Sequence, residues 1–156
     1  MSTERYVDQV YGILSKAGIA FDTREDGRQY RIRYDSAYVF VGFREVGDDA
    51  LVTLTCPLLQ EVDVAVPGRE RLLEAVNRFN CATLLGKACW YEERRQVDVE
   101  HYLRADDLQA AELVHALAMI AASVERHDDE LQHELGTGRR GADVWAADDD
   151  EEVLEA

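Results

Sequence analysis

Apolar positions along the chain change period several times, and each change marks an element. Residues 3–17 carry Tyr6 or Val7, Val10, Ile13 or Leu14, and Ala17 at helical spacing. Ser2 or Thr3 supplies a cap, Glu4 suits the first turn, and Gly18 is a natural stop. From Gln29 to Tyr34 the period is two: Tyr30, Ile32 and Tyr34 share one face, and Gln29, Arg31 and Arg33 the other. Asp26-Gly27 just before it reads as a hairpin turn, with residues 19–24 as the partner strand. Ala37 to Val46 is rich in aromatic and β-branched residues, which predicts a strand apolar on much of both faces. Gly47-Asp48-Asp49 turns the chain into a strand over 51–55, which Pro57 is expected to close. Residues 58–66 fit an edge strand or an extended connection equally well.

Beyond Pro67 the helical period returns. Leu72, Leu73, Val76 and Phe79 line one side of a helix over 69–80. Strands follow at 83–92 and 96–103. The last helix is the longest. Asp106 is its expected cap, with Gln109 three residues on as in a capping box. Its stripe runs Leu108, Ala111, Val114, Leu117, Ile120 or Ala121, Val124 and Leu131, and Gly136 ends it. The order is α-β-β-β-β-α-β-β-α. Strands grouped without regular β-α alternation predict an α+β fold, with N-terminal, middle and C-terminal helices packed on an antiparallel sheet. Residues 1–136 form the expected domain. Residues 137–156, with their glycines and acidic block, read as a disordered acidic tail.

Charge sharpens that division. The chain of 156 residues carries a formal net charge of −15, and residues 128–156 hold eleven acidic against two basic side chains. Such a polyanion repels phosphate backbones and anionic lipid, so neither nucleic acid nor membrane is an expected partner. No apolar run approaches the ~20 residues that span a bilayer. The first residues lack the pattern of a secretory signal, which makes the cytoplasm the default compartment. Arginine dominates over the two lysines, as in a GC-rich bacterial genome or a halophile. Cys56, Cys81 and Cys89 are too few and too irregular for a disulfide framework.

Catalytic patterns are weak. His101, His115, His127 and His133 form no metal-ligand spacing, and His115 reads as a partly buried side chain beside the apolar stripe. The chain has no nucleophile elbow, P-loop or dinucleotide fingerprint. Asp128-Asp129-Glu130 reads as a solvated helix end rather than a carboxylate pair. Cys89 and His101 would fall on neighbouring strands, but no third group orients them. A non-catalytic module is therefore expected, without metal or cofactor. The aromatic inventory is the more informative feature. Tyr30, Tyr34, Tyr38, Phe40, Phe43, Trp90 and Tyr91 are many for so small a sheet. Either the helices cover them all, or surplus apolar surface awaits a partner. Tyr38, Phe40, Trp90 and Tyr91 are the candidate contact residues.

One stretch carries a resemblance. Leu72-Leu73-Glu74-Ala75-Val76-Asn77-Arg78-Phe79-Asn80, then Gly86-Lys87, a strand ending near Leu103, and Asp128-Asp129-Glu130-Leu131 closing a long helix together resemble the YbjN-like proteins. Those proteins share a fold with type III secretion chaperones. The resemblance spans about residues 3–136. It implies a chaperone-like module that binds a protein or peptide client, often as a homodimer and without a cofactor. Asn77, Asn80, Gly86 and Lys87 match the family's pattern. On their own chemistry the two asparagines suit bonds to nearby loop or strand backbone, and Gly86, placed in mid-strand, suits a bulge or a closely packed helix. A rival expectation is a regulatory or signalling adaptor whose acidic tail contacts a basic partner.

Overall fold

A computed structural model describes residues 3–155. Its elements run α1 (Glu4–Lys16), β1 (Asp22–Arg24), β2 (Gln29–Tyr34), β3 (Ala37–Val46), β4 (Asp49–Gln60), α2 (Arg69–Ala82), β5 (Lys87–Tyr91), β6 (Gln96–Arg104), α3 (Ala110–Leu135), β7 (Arg139–Arg140) and α4 (Gly141–Glu155). The sheet order is β1-β2-β3-β4-β6-β5, antiparallel throughout, with β7 added beside the end of β4. The α+β class and the predicted element order hold as far as α3.

Register divides the sheet into two faces. Tyr30 pairs with Val41, Ile32 with Val39, Val41 with Leu54 and Cys56 with Val99, so these side chains share the first face. They join one apolar core with Tyr6, Val10 and Leu14 of α1, Leu72 and Phe79 of α2, and the α3 stripe from Leu113 to Leu135. The hydroxyl of Tyr30 donates to the Val7 carbonyl at 3.1 Å and fixes α1 against β2. Glu125 of α3 accepts from the Ser36 backbone N–H at 2.9 Å, tying the long helix to the β2–β3 turn.

Several expectations fail for identifiable reasons. Pro57 does not close β4. The ladder to β6 slips between Pro57 and Leu59, and β3 pairs with β4 only as far as Thr55. Proline occupies that irregularity, where a missing N–H costs least. Asp106 does not cap α3, because its carboxylate accepts the Tyr6 hydroxyl at 2.5 Å and the helix starts after Gln109. His115 is exposed rather than partly buried. Gly86 precedes β5 instead of lying within it. There its φ of +83°, with Val99 and Ile120 standing 3.1 and 3.6 Å from where a Cβ would lie, leaves room for glycine alone.

Within the segment expected to be an acidic tail, β7 adds to β4 and α4 then lies on the second face of the sheet. The acidic block hid this, because Asp148 and Asp149 meet Arg31, more than a hundred residues away. Gly141 explains how the helix gets so close: a Cβ there would stand 2.2 Å from the Pro57 carbonyl oxygen.

Candidate peptide-docking face

The second face is built from the polar halves of the strands. Arg24 pairs with Gln29, Asp22 with Arg31, and Arg33 with Tyr38, so three arginines line β1–β2 on one side. Phe40 and Thr55 form the next pair, followed by Pro57 with Asp98 and Cys89 with Asp98. Tyr91, Glu100 and Tyr102 complete this face at the far side of the sheet.

α4 lies over β4 and β3 and meets β1 and β2 through long side chains. The Trp145 ring lies 4.8 Å from Phe40 and 5.2 Å from the Arg24 guanidinium. Asp149 accepts the Tyr38 hydroxyl at 2.6 Å and pairs with Arg31 at 2.9 Å. Arg31 also pairs with Asp22 at 2.8 Å and Asp148 at 3.6 Å, and it is only 5% exposed. Burying a guanidinium costs several kcal/mol unless carboxylates surround it, and α4 supplies two of them. Burial and the Asp149 hydrogen bond push the Tyr38 phenol up to about 12.

Beside α4 the face opens into a cleft of about 700 Å³. Phe40, Pro57 and Trp145 provide apolar walls, and Thr55, Gln96 and Asp98 provide polar ones. Asp98 is 1% exposed. One of its oxygens accepts from the Gln96 amide at 2.9 Å and faces Arg94 at 3.6 Å. The other, Oδ1, has no hydrogen-bond partner, nor does the indole N–H of Trp145. Burial holds the Asp98 carboxyl above the usual carboxylate range. The cleft thus combines apolar walls with polar side chains, and two of its lining residues hold a buried polar atom without a partner.

The four predicted contact residues do not gather at one exposed site. Tyr38 and Phe40 lie on the second face but are buried beneath α4. Trp90 pairs with Val97 and packs half-buried on the core side. Tyr91 is half-buried on the second face, where its hydroxyl donates to Glu100 and Arg94 stacks 4.0 Å from its ring. Cys89 and His101 point to opposite faces, so they form no nucleophile–base pair.

Of the family-pattern residues, Asn80 has the clearest task. Its amide accepts from the Ala88 N–H at 2.6 Å and donates to the Ala88 carbonyl at 3.1 Å. It imitates a neighbouring strand and shields the outer edge of β5 at that point. Asn77 is exposed on α2. Lys87 is exposed on the second face, its ammonium 5.6 Å from the Tyr102 ring. Sequence reasoning missed Arg31, Asp98, Gly141 and Trp145. A signal existed for α4: Ala142, Trp145 and Asp149 recur at helical spacing.

Comparison with known proteins agrees with this architecture. A chain of the HopA1–SchA chaperone–effector complex superposes with a TM-score of 0.57 at 10% identity, covering 83% of this chain and 98% of its own. The Yersinia pestis type III secretion chaperone SycH, solved with a fragment of YscM2, gives 0.52 at 12% identity, covering 78% and 98%. YbjN from E. coli gives 0.55 at 12% identity, covering 80% and 92%. At these identities the likeness establishes the fold. No curated protein matches the sequence. The family model described as T3SS (YopN, CesT) and YbjN peptide-binding chaperone 1, TY-Chap1, matches residues 4–143, and the chain therefore belongs to that family.

Proposed function

We propose that this chain is a non-catalytic, chaperone-like module that holds a segment of another polypeptide in the cleft beside α4. The observation that carries the reading is the cleft itself, where the apolar side chains of Phe40, Pro57 and Trp145 stand together with the polar Thr55, Gln96 and Asp98. A peptide group offers one donor and one acceptor, and apolar walls suit its side chains. The family description and the chaperone complexes among the structural relatives support the same reading. Cytoplasmic residence belongs to the proposal. So does a homodimer, for which Leu84, 95% exposed after α2, and the exposed Leu73 offer apolar contact area.

The adaptor reading has weaker support, because Asp148 and Asp149 are already engaged with this chain's own Arg31. Selection from a random peptide library tests the proposal. Selected peptides should bind the full chain with micromolar Kd. Thr55→Arg, which fills the cleft, should weaken them at least tenfold, whereas Tyr11→Ala on α1 should leave them unchanged. Failure to select any binder would overturn the function. Binding indifferent to Thr55→Arg would overturn the site.

A further inference from the structure

We infer that the arginine-lined strip under α4 is itself a docking groove for an acidic, aromatic-bearing segment, which α4 fills in the free chain and a client of the same chemistry displaces. The inference rests on the chain being a peptide-binding module and names the class of client; a client in the place of α4 displaces Trp145, so this mode excludes the one beside α4.

Charge complementarity is the first support. The whole chain is strongly acidic, yet Arg24, Arg31 and Arg33 stand side by side on one face of β1–β2. Two of them lie within 6 Å of the Tyr38 ring, Arg31 at 5.8 Å and Arg33 at 5.5 Å. A strip of guanidinium and aromatic surface selects carboxylates and aromatic rings. α4 presents that pair of chemistries one helical turn apart, Trp145 on Phe40 and Arg24, and Asp149 on Tyr38 and Arg31.

The slenderness of the attachment is the second support. α3 buries nine residues. In α4, among residues 141–150, only Gly141 and Ala142 are buried. The outward positions Asp143, Ala147 and Asp150 are exposed, so the helix contributes no second apolar stripe. Gly136 and Gly138, with φ of +67° and +89°, turn the chain from α3 into β7. A tethered helix competes at an effective concentration on the order of millimolar, so a free client binds with an apparent affinity reduced by the occupied fraction.

A fluorescein-labelled synthetic peptide of residues 137–156 serves as the probe, titrated into the full chain. Wild type should bind it weakly. The W145A/D149N chain, whose own helix is loosened, should bind it at least tenfold more tightly. D149N alone should shift affinity in the same direction by less. A peptide with both Asp148 and Asp149 replaced by lysine should not bind any of them. Near-ultraviolet circular dichroism and Trp90 emission verify that each variant is folded. Equal peptide affinity for wild type and folded W145A/D149N would overturn the inference, as would equal affinity for the lysine peptide. α4 would then be a permanent part of the fold. That result would leave the library experiment at Thr55 untouched, so the two readings fail separately.

Discussion

On its first face the sheet meets α3, which buries eight apolar residues from Leu113 to Leu135 in a core shared with α1 and α2. On its second face it meets α4 through one tryptophan, two tight N-terminal residues and a pair of aspartates. The first contact is apolar, continuous and insensitive to the chemistry of any single side chain. The second depends on a few oriented groups: a ring on a ring, and carboxylates on a buried guanidinium. Hydrophobic burial is non-directional and scales with area, so the first face specifies the fold. Oriented polar contacts distinguish one occupant from another, so the second face is suited to recognition.

Truncation on the first face should have the largest effect. Leu54 is fully buried in mid-sheet under the helices. Leu54→Ala should lower unfolding free energy by about 2–5 kcal/mol, read as a shift in urea midpoint. Trp145→Ala, on the other face, should cost under about 1.5 kcal/mol, the worth of an aromatic pair with partial burial. Comparable losses from the two would erase the distinction between the faces and place α4 within the cooperative core.

Gly141→Ala probes the seam between them with an intermediate effect. The new methyl would meet the Pro57 carbonyl at a distance no side chain tolerates, so either β4 or α4 must give way. α4 is the weaker party. The expected result is a red shift of Trp145 emission with loss of about 1–3 kcal/mol, while the Trp90 environment persists. A variant that retains native emission would show that the sheet yields instead, and that α4 is held more firmly than its few contacts suggest.

What the sequence revealed follows the same division. Elements whose partners lie along a periodic stripe were legible: α1, the β1–β2 hairpin, β3, α2, and α3 with its glycine stop. Asn80 was legible too, because amide side chains near a helix end seek backbone. The elements that escaped depend on distant or single contacts. The acidic run of α4 resembles a solvated tail until Arg31, far away in sequence, provides a counter-charge. Asp106 looks like a cap until Tyr6 claims its carboxylate. Pro57 looks like a strand terminus until the slip in register gives it a place. Of the two readings left open for the aromatic residues, cover by a helix holds for Tyr38 and Phe40, which lie on the second face beneath α4.

The smallest effect concerns Asp98, and its sign discriminates between two accounts of the cleft. Burial raises the Asp98 pKa, so the folded chain keeps this proton to higher pH than the unfolded chain does. Its contribution to stability is therefore fully present below the unfolded pKa and is lost as pH rises through the folded one. Asp98→Asn keeps an oxygen for the Gln96 amide and removes the buried charge. It should flatten that part of the pH dependence and raise stability at pH 7 by about 1 kcal/mol. Asp128, the other buried acid with a raised pKa, titrates in the same direction and cancels when the variant is compared with wild type. If Asp98→Asn instead lowers stability at pH 7, the Arg94 ion pair outweighs burial. The carboxylate would then be a structural charge of the second face rather than an acceptor held ready for a peptide.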